Sequence, residues 1–232
     1  MPRQAHVAAG VPHHITQRGN NRQEVFLVDE DRRFYLDHLR DQARHHGVRL
    51  PGYCLMSNPV HLVAVPERPD GLARALGQLH GRYAWRFNRR YRRSGHLWQN
   101  RFYSCPLAKT HLWRALLYVD LNPVRAGLGN DPAAYPWSSA AAHSQGGDPS
   151  GLLDSWEWSE LDPGAEWAEF LAARTLGLAE AMALREATYS GRPLGEEAFV
   201  SRLETELGRS LQAKPRGRPP QSQSATRAAR QG

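Results

Sequence analysis

The stretch that decides the fold runs from Val48 to Pro66 and reads VRLPGYCLMSNPVHLVAVP. It contains two apolar runs, residues 48–56 and 59–66, separated by the polar pair Ser57-Asn58. Short runs rich in Val, Leu and Tyr on either side of a tight turn predict two antiparallel β-strands. These two strands give a register from which the rest of the sheet can be built.

Sequence on both sides of this hairpin supplies the remaining elements of a small sheet. Residues 12–18 and 96–107 predict two further strands, and residues 29–46, 71–92 and 110–122 predict helices by the spacing of their apolar residues. The order βαββαβ, followed by a helix, predicts an α+β protein with a ferredoxin-like antiparallel sheet. We expect the helices on one face of this sheet and an open second face.

The composition changes after residue 128, which divides the chain into three predicted regions. Residues 1–128 form the sheet domain, and residues 129–212 form a loop-rich and then mainly helical, acidic extension. Residues 213–232 form a basic tail of Pro, Gly, Ser, Gln and Arg. The tail is too poor in apolar residues to offset the entropy lost on ordering, so it is predicted to be disordered.

Charge is distributed unevenly along the chain. Lys plus Arg against Asp plus Glu number 20 and 9 in residues 1–127, 6 and 14 in residues 128–214, and 4 and 0 in residues 215–232. A basic front half is typical of proteins that bind phosphate backbones. All but two of the 30 basic residues are Arg, whose planar fork matches phosphate, although a GC-rich genome also favours Arg codons.

Several protein classes are excluded by what the sequence lacks. No apolar run approaches the roughly 18 residues of a membrane span, and the first residues lack the apolar core of a signal peptide, so a cytoplasmic protein is expected. Cys54 and Cys105 are the only cysteines. Without a CxxC pair, they predict buried free thiols rather than a disulfide framework or a zinc site.

Strand alternation brings two histidines together. In the third strand, Val60 and Leu62 point to one face and His61 to the other, whereas in the first strand Ile15 and His14 separate in the same way. Thr16 and Arg18 point to the same face of the sheet as His14. Since the first and third strands of a ferredoxin-like sheet are neighbours, we expect His14 and His61 to lie side by side.

The predicted helix 110–122 carries a polar stripe beside its apolar one. Leu112, Leu116 and Val119 share one face, and a second face carries Arg114, Tyr118, Asn122 and Arg125. A phenol with a pKa near 10 is a poor nucleophile unless a cation or a polarised phosphate lies close to it. Periodicity alone also allows Tyr118 to be a core residue.

Three segments together carry a family resemblance: PHHITQRGNNR at residues 12–22, NPVHL at residues 58–62 and YVDLNPVRAGL at residues 118–128. They resemble the single-tyrosine HUH transposases, and most closely the REP-associated tyrosine transposases. The segment GHLWQNRF at residues 95–102 is similar to the family's Trp-Gln-x-Arg strand. The resemblance covers residues 3–145 closely and continues loosely to residue 218.

This resemblance implies a reaction and a set of residues. Tyr118 would attack a DNA phosphate, with Arg114 as the nearby cation, to leave a 5′-phosphotyrosine and a free 3′-hydroxyl. A divalent metal, Mg²⁺ or Mn²⁺, would be held by His61, Asn122 and His14. The first histidine of the HUH motif is replaced by Pro59, which cannot ligate, so the metal site is expected to be incomplete and the metal weakly bound.

The expected partner is single-stranded or hairpin DNA, including palindromic repeats, bound by a monomer or a homodimer. The arginines expected to contact this DNA are Arg18, Arg22, Arg86, Arg89, Arg90, Arg101, Arg125, Arg216 and Arg218. The last two lie in PRGRP, which resembles an AT-hook for the narrow minor groove. Generic binding by a basic tail is the alternative for this segment.

Three functional hypotheses follow. The leading one is an enzyme that cleaves and rejoins DNA strands in transposition through Tyr118, impaired by Pro59. Its rival is a catalytically inactive DNA-binding protein, a domesticated transposase with the same fold. An RNA-binding ferredoxin-like module is the third, and it is disfavoured because adjacent strands lack the aromatic pair on which such modules stack bases.

Overall fold

The computed structural model describes residues 7–154, 166–173 and 176–211. Its four strands are β1 (His13–Gln17), β2 (Val48–Leu55), β3 (Val60–Pro66) and β4 (Tyr103–Pro106). They form one antiparallel sheet in the order β2-β3-β1-β4, with Thr16 opposite His61 in the register of β1 and β3. This order confirms the predicted α+β fold with a ferredoxin-like sheet.

Seven α-helices lie within the described residues. They are α1 (Asp29–His46), α2 (Gly71–Arg90), α3 (Lys109–Arg125), α4 (Ala140–Gln145), α5 (Glu166–Ala173), α6 (Leu178–Ser190) and α7 (Glu197–Leu207). Short 3₁₀ turns occupy Asn20–Arg22 and Pro132–Ala134. Helix α1 has the predicted bounds and ends at Gly47, whose left-handed φ of 63° closes the helix with backbone hydrogen bonds.

Helices α1 and α2 cover one face of the sheet, as predicted. Ile15 and Leu62, which face each other across β1 and β3, are buried there. From α1 this core receives Tyr35, Leu39 and Ala43, which recur at four-residue intervals and so share one side of the helix. The alternation of the strands and the period of the helix therefore agree on the core on this face of the sheet.

The prediction of an open second face is wrong. Helix α3 covers β2 and β3 on that face, and α6 covers β1 and β4. Cys54, Val63 and Cys105 point to this side and are fully buried by the helices. An open face would expose this apolar surface to water, and burying it stabilises the fold. Both cysteines are free, as predicted.

The prediction of a strand over residues 96–107 is correct only for its second half. Residues 96–102 form no ladder and make a single bridge, between Trp98 and Gly19. The Trp98 indole instead donates to the backbone oxygen of His80 at 3.0 Å, which holds this segment against the middle of α2. The positive φ of Gly95, 85°, turns the chain before it enters β4.

The acidic extension is tied to the sheet domain through a buried carboxylate on α3. Asp120 accepts hydrogen bonds from the Ser139 hydroxyl at 2.6 Å, from Nδ1 of His143 at 2.7 Å and from the indole of Trp167 at 3.1 Å. These partners belong to α4, its N-terminal flank and α5. Helices from three parts of the chain therefore meet at one buried charge.

Two further expectations concern the C-terminal tail and the absence of membrane-spanning helices. The tail, with its AT-hook-like segment, lies outside the described residues. Among the residues that are described, no helix is long and apolar enough to cross a membrane.

Candidate functional site

A cavity of about 160 Å³ opens on the second face of the sheet, at the end where β1 finishes and β3 begins. Four parts of the chain meet around it: β1 and its end, the β2–β3 turn with β3, α3, and α6. Its walls are formed by His14, Thr16, Arg18, Met56, Pro59, His61, Tyr118, Asn122, Arg185, Thr188 and Tyr189.

His14 and His61 are neighbours in this cavity, as strand alternation predicted. Their rings stack with centroids 5.3 Å apart, and Nε2 of His14 lies 3.1 Å from Nδ1 of His61. Both side chains are buried. The two histidines therefore contact each other directly.

The hydrogen-bond partners fix the order of protons along this pair. The Thr188 hydroxyl donates to the backbone oxygen of Leu184 at 2.7 Å, so its oxygen accepts from Nδ1–H of His14, also at 2.7 Å. Nε2 of His14 then carries a lone pair and accepts from Nδ1–H of His61. Of the two histidine rings, only His61 then keeps a nitrogen lone pair that accepts no hydrogen bond within this chain of contacts, on its Nε2 atom.

Both rings are neutral, which agrees with that order. Burial lowers the pKa of His14 to about 3. Burial also holds the pKa of His61 well below its usual value, and the nearby charges of Arg18, Arg185 and Arg125 lower it further. A neutral imidazole donates from one nitrogen and accepts at the other, as the chain from Thr188 requires.

Tyr118 lies with its ring edge against both histidines, at centroid distances of 5.5 Å from His14 and 5.6 Å from His61. The guanidinium of Arg125 lies over the tyrosine ring, 4.8 Å from its centroid. Burial raises the pKa of Tyr118 and outweighs the opposing effect of nearby arginines. The phenol is therefore protonated at neutral pH.

Asn122 follows Tyr118 by one turn of α3 and presents an unsatisfied donor. Its side chain is 6% exposed, and its Nδ2 is buried without a hydrogen-bond partner among the described residues. An unsatisfied buried donor costs roughly 1–3 kcal/mol. An amide N–H in a cavity wall fits a ligand oxygen that accepts a hydrogen bond.

The sequence assigned the cation beside Tyr118 to Arg114, and the structure corrects this assignment. Arg114 Nε pairs with Glu180 of α6 at 3.1 Å, and Arg114 does not line the cavity. Arg125, one turn beyond Asn122, lies against the tyrosine instead. Periodicity placed both arginines near the polar stripe of α3, but the carboxylate of Glu180 draws the first one away.

The remaining arginines expected at DNA fall into separate groups. Arg18 lines the cavity, with its guanidinium 5.1 Å from the centroid of the Tyr189 ring. Arg22, in the 3₁₀ turn after β1, and Arg101, in the segment before β4, are both exposed. Arg86, Arg89 and Arg90 belong to α2, on the opposite face. Arg216 and Arg218 lie outside the described residues.

Sequence reasoning missed the contribution of α6, which supplies Arg185, Thr188 and Tyr189 to the cavity. A signal was present in the spacing of Ala181, Leu184 and Thr188, which are all buried on one side of this helix. That spacing shows that α6 packs against something. It does not reveal that the surface it covers holds His14 and Tyr118.

The cavity residues do not fit a divalent metal. They offer one free imidazole lone pair, an amide and a protonated phenol, and the cavity wall contains no carboxylate. Within the described part of the chain, no group of three or more His, Cys, Asp or Glu residues is placed to hold a metal ion. Pro59 occupies the wall beside His61, and the charges of Arg18 and Arg185 oppose a cation while favouring an anion.

Comparisons with known proteins point to one family. The family model described as IS200-like transposase matches residues 9–121. A REP-associated tyrosine transposase bound to a REP hairpin is 16% identical, with a TM-score of 0.50 over 66% of this chain and 92% of that one. A candidate transposase from Deinococcus radiodurans R1 is 23% identical, with a TM-score of 0.34 over 55% of this chain and 92% of that one. No curated protein matches the sequence.

Proposed function

We propose that this chain, whose residues 9–121 match the model of the IS200-like transposase family, binds structured single-stranded DNA with a backbone phosphate in the cavity at the end of the sheet. One observation carries this proposal. Arg18, Arg185 and the unpaired Nδ2 of Asn122 converge on a space that no carboxylate lines. Arginine forks and amide N–H groups are the donors that phosphate oxygens accept from.

Two further facts support DNA as the ligand and a hairpin as its form. The front part of the chain, residues 1–127, has 20 basic and 9 acidic residues, which favours a polyanion. The solved REP-associated transposase, which shares this fold, was determined with a REP hairpin bound. We therefore propose a hairpin with a single-stranded extension as the ligand of this chain.

The test is a titration of such a hairpin at several salt concentrations. Affinity should fall steeply as salt rises, because binding releases counterions from the phosphates. Arg18→Ala and Arg185→Ala should each weaken binding about tenfold and lower the salt slope by about one. Arg74→Ala is the matched control, since Arg74 is exposed and paired with Asp70 away from the cavity. Wild-type binding that does not respond to salt would refute the proposal.

Strand cleavage by Tyr118 is the second candidate function, and one observation favours it. The phenol lines the same cavity as the proposed phosphate donors. In this step the Tyr118 oxygen bonds to phosphorus as the bond from phosphorus to the 3′-oxygen breaks. The leaving 3′-oxygen takes up a proton, which balances the one lost by the phenol, and rejoining reverses the exchange. Pro59 and the raised pKa of Tyr118 both predict a slow reaction.

Cleavage is tested by incubating the protein with end-labelled hairpin and Mn²⁺ or Mg²⁺ and separating the products on a denaturing gel. A covalent protein–DNA species should form, and Tyr118→Phe should abolish it while leaving DNA affinity nearly intact. An adduct that persists in Tyr118→Phe would assign the reaction to another residue. Binding without any adduct in the wild type would establish the DNA-binding function alone.

A further inference from the structure

The outer side of α2 carries an exposed indole. Trp85 is 65% exposed, and it is the one Phe, Tyr or Trp ring among the described residues that is exposed rather than buried or half-buried. It lies on the opposite face of the sheet from the cavity, so it takes no part in the site already described. One exposed apolar side chain is ordinary on a protein surface, so the residues around Trp85 decide whether its ring is a binding site.

Two arginines flank this ring along the helix. Arg82 and Arg89 lie one helical turn before and after Trp85, and the guanidinium of Arg89 is 5.5 Å from the centroid of one of the indole rings. This distance is within the roughly 6 Å range of a cation–π contact. A flat ring with an arginine one helical turn to either side suits a flat ligand with negative charges on both sides, as a nucleotide in a strand has.

The charge around Trp85 is not neutralised by the protein. Between Arg82 and Arg93 the chain has six arginines, and there is no Asp or Glu from Gly71 to Val119. Within the described ranges none of these six arginines is paired with a carboxylate. The outer side of α2 and the segment after it therefore form a positive strip, defined here as residues 82–93.

This strip reaches the end of the sheet at which the cavity opens. The side chain of Arg93 donates a hydrogen bond to the Gln23 side chain. The backbone oxygen of Gln23 in turn accepts from Nδ2 of Asn58 at 2.8 Å. Asn58 precedes Pro59, which lines the cavity. The strip is thus joined by hydrogen bonds to the end of the sheet at which the cavity opens.

We propose that Trp85 stacks on a base of the single-stranded segment that leaves the cavity and follows this strip. The inference rests on the proposed DNA binding and extends it to a second contact. Stacking on tryptophan accepts any base, because every base has a π-face, whereas the arginines of the strip hold the phosphates. The contact therefore holds single-stranded DNA without reading its sequence.

The experiment compares three labelled DNAs by fluorescence anisotropy: a hairpin with a single-stranded extension, an oligothymidine, and a blunt duplex. Trp85→Ala should weaken binding of the first two about tenfold, equivalent to about 1.4 kcal/mol, and leave the duplex nearly unchanged. Trp85→Tyr should retain most of the affinity, since it keeps an aromatic face. Leu178→Ala, which alters a side chain that is 73% exposed away from the strip, should change nothing.

The outcomes separate this inference from the proposed function. Wild-type protein that binds none of the DNAs would overturn both. If the wild type binds and Trp85→Ala binds each of the three DNAs as tightly as the wild type does, the stacking contact alone is overturned. Loss of self-association in Trp85→Ala, measured by sedimentation without DNA, would assign the ring to an interface between copies of this chain and also overturn the proposal.

Discussion

At Pro59 a side chain without a lone pair lines the wall of a cavity that also holds His61. Nε2 of His61 keeps its lone pair because Nδ1 is the atom that donates to His14. A second imidazole at position 59 would give this lone pair a neighbour of the same kind. Replacing Pro59 by histidine therefore tests whether this one residue decides between a site for an anion and a site for a metal ion.

Pro59→His is expected to bind Mn²⁺ at least tenfold more tightly than the wild type, since each lost or misplaced group around a metal costs about 10–100-fold in affinity. Isothermal titration calorimetry without DNA measures this directly, independently of any cleavage. Pro59→Ala is the control, because it removes the proline ring and adds no ligand. Equal Mn²⁺ affinities for the two variants would show that position 59 does not limit the metal site.

Asn122→Leu separates the stability of the free protein from its ligand affinity. Leucine has nearly the same shape and removes the buried donor that has no partner, so the free energy of unfolding should stay equal or rise by about 1 kcal/mol. Affinity for hairpin DNA should fall about tenfold, because the phosphate loses a charge-assisted hydrogen bond. Urea unfolding and a DNA titration test both effects, and unchanged DNA affinity would remove Asn122 from the site.

At the scale of elements, the cavity depends on how α3 and α6 are held over the sheet. Helix α3 presents Tyr118 and Asn122 to the cavity, and on its other side it is fixed by Asp120. The ring nitrogens of His143 lie at hydrogen-bond distance from Asp120, at 2.7 Å, and from the backbone oxygen of Pro51, at 2.9 Å. The buried carboxylate thus joins α3 to β2 as well as to the extension.

Asp120→Asn should lower the free energy of unfolding by about 3 kcal/mol, since it leaves the buried ring of His143 without its carboxylate partner. Denaturant unfolding provides the measurement. Asp37→Asn serves as the matched control: Asp37 is exposed and pairs with Arg40 on the surface, where an ion pair contributes about 0–1 kcal/mol. Similar losses in the two variants would mean that the network around Asp120 contributes little.

At the scale of the whole molecule, three buried histidines make stability depend on pH. Burial lowers the pKa of His14 and of His80 to about 3, and it lowers that of His61 well below its usual value. In the unfolded chain each of them would titrate near 6.5. As pH falls below 6.5 the unfolded state takes up protons that the folded state does not, so the folded protein loses stability.

Between pH 7.5 and pH 5.5 this loss should be about 1 kcal/mol for each buried neutral histidine. His80→Gln removes the contribution of one of the three histidines. Nε2 of His80 lies 3.0 Å from the Tyr35 hydroxyl, and the amide of the introduced glutamine can replace it as the partner of that hydroxyl. Urea unfolding at both pH values should give a loss smaller by about 1 kcal/mol in the variant. An unchanged difference would exclude His80 from the pH dependence.

Much of the sheet and part of the site follow from local sequence patterns. Alternation in β1 and β3 separates Ile15 and Leu62 from His14 and His61, because successive side chains of a strand point to opposite faces. One helical turn places Asn122 beside Tyr118 for the same kind of geometric reason. These relations hold within an element or between neighbouring strands, so the sequence by itself determined them.

Only the tertiary structure decided what covers the second face of the sheet and which charges reach the cavity. The apolar spacing of α6 requires a partner surface but fits any apolar surface of the right size, so Arg185, Thr188 and Tyr189 could not be assigned to the cavity in advance. The choice between Arg114 and Arg125 depended on Glu180, which is distant in sequence from both. Periodicity fixes the side of an element on which a residue lies, whereas contacts between distant elements are set by packing of the whole chain.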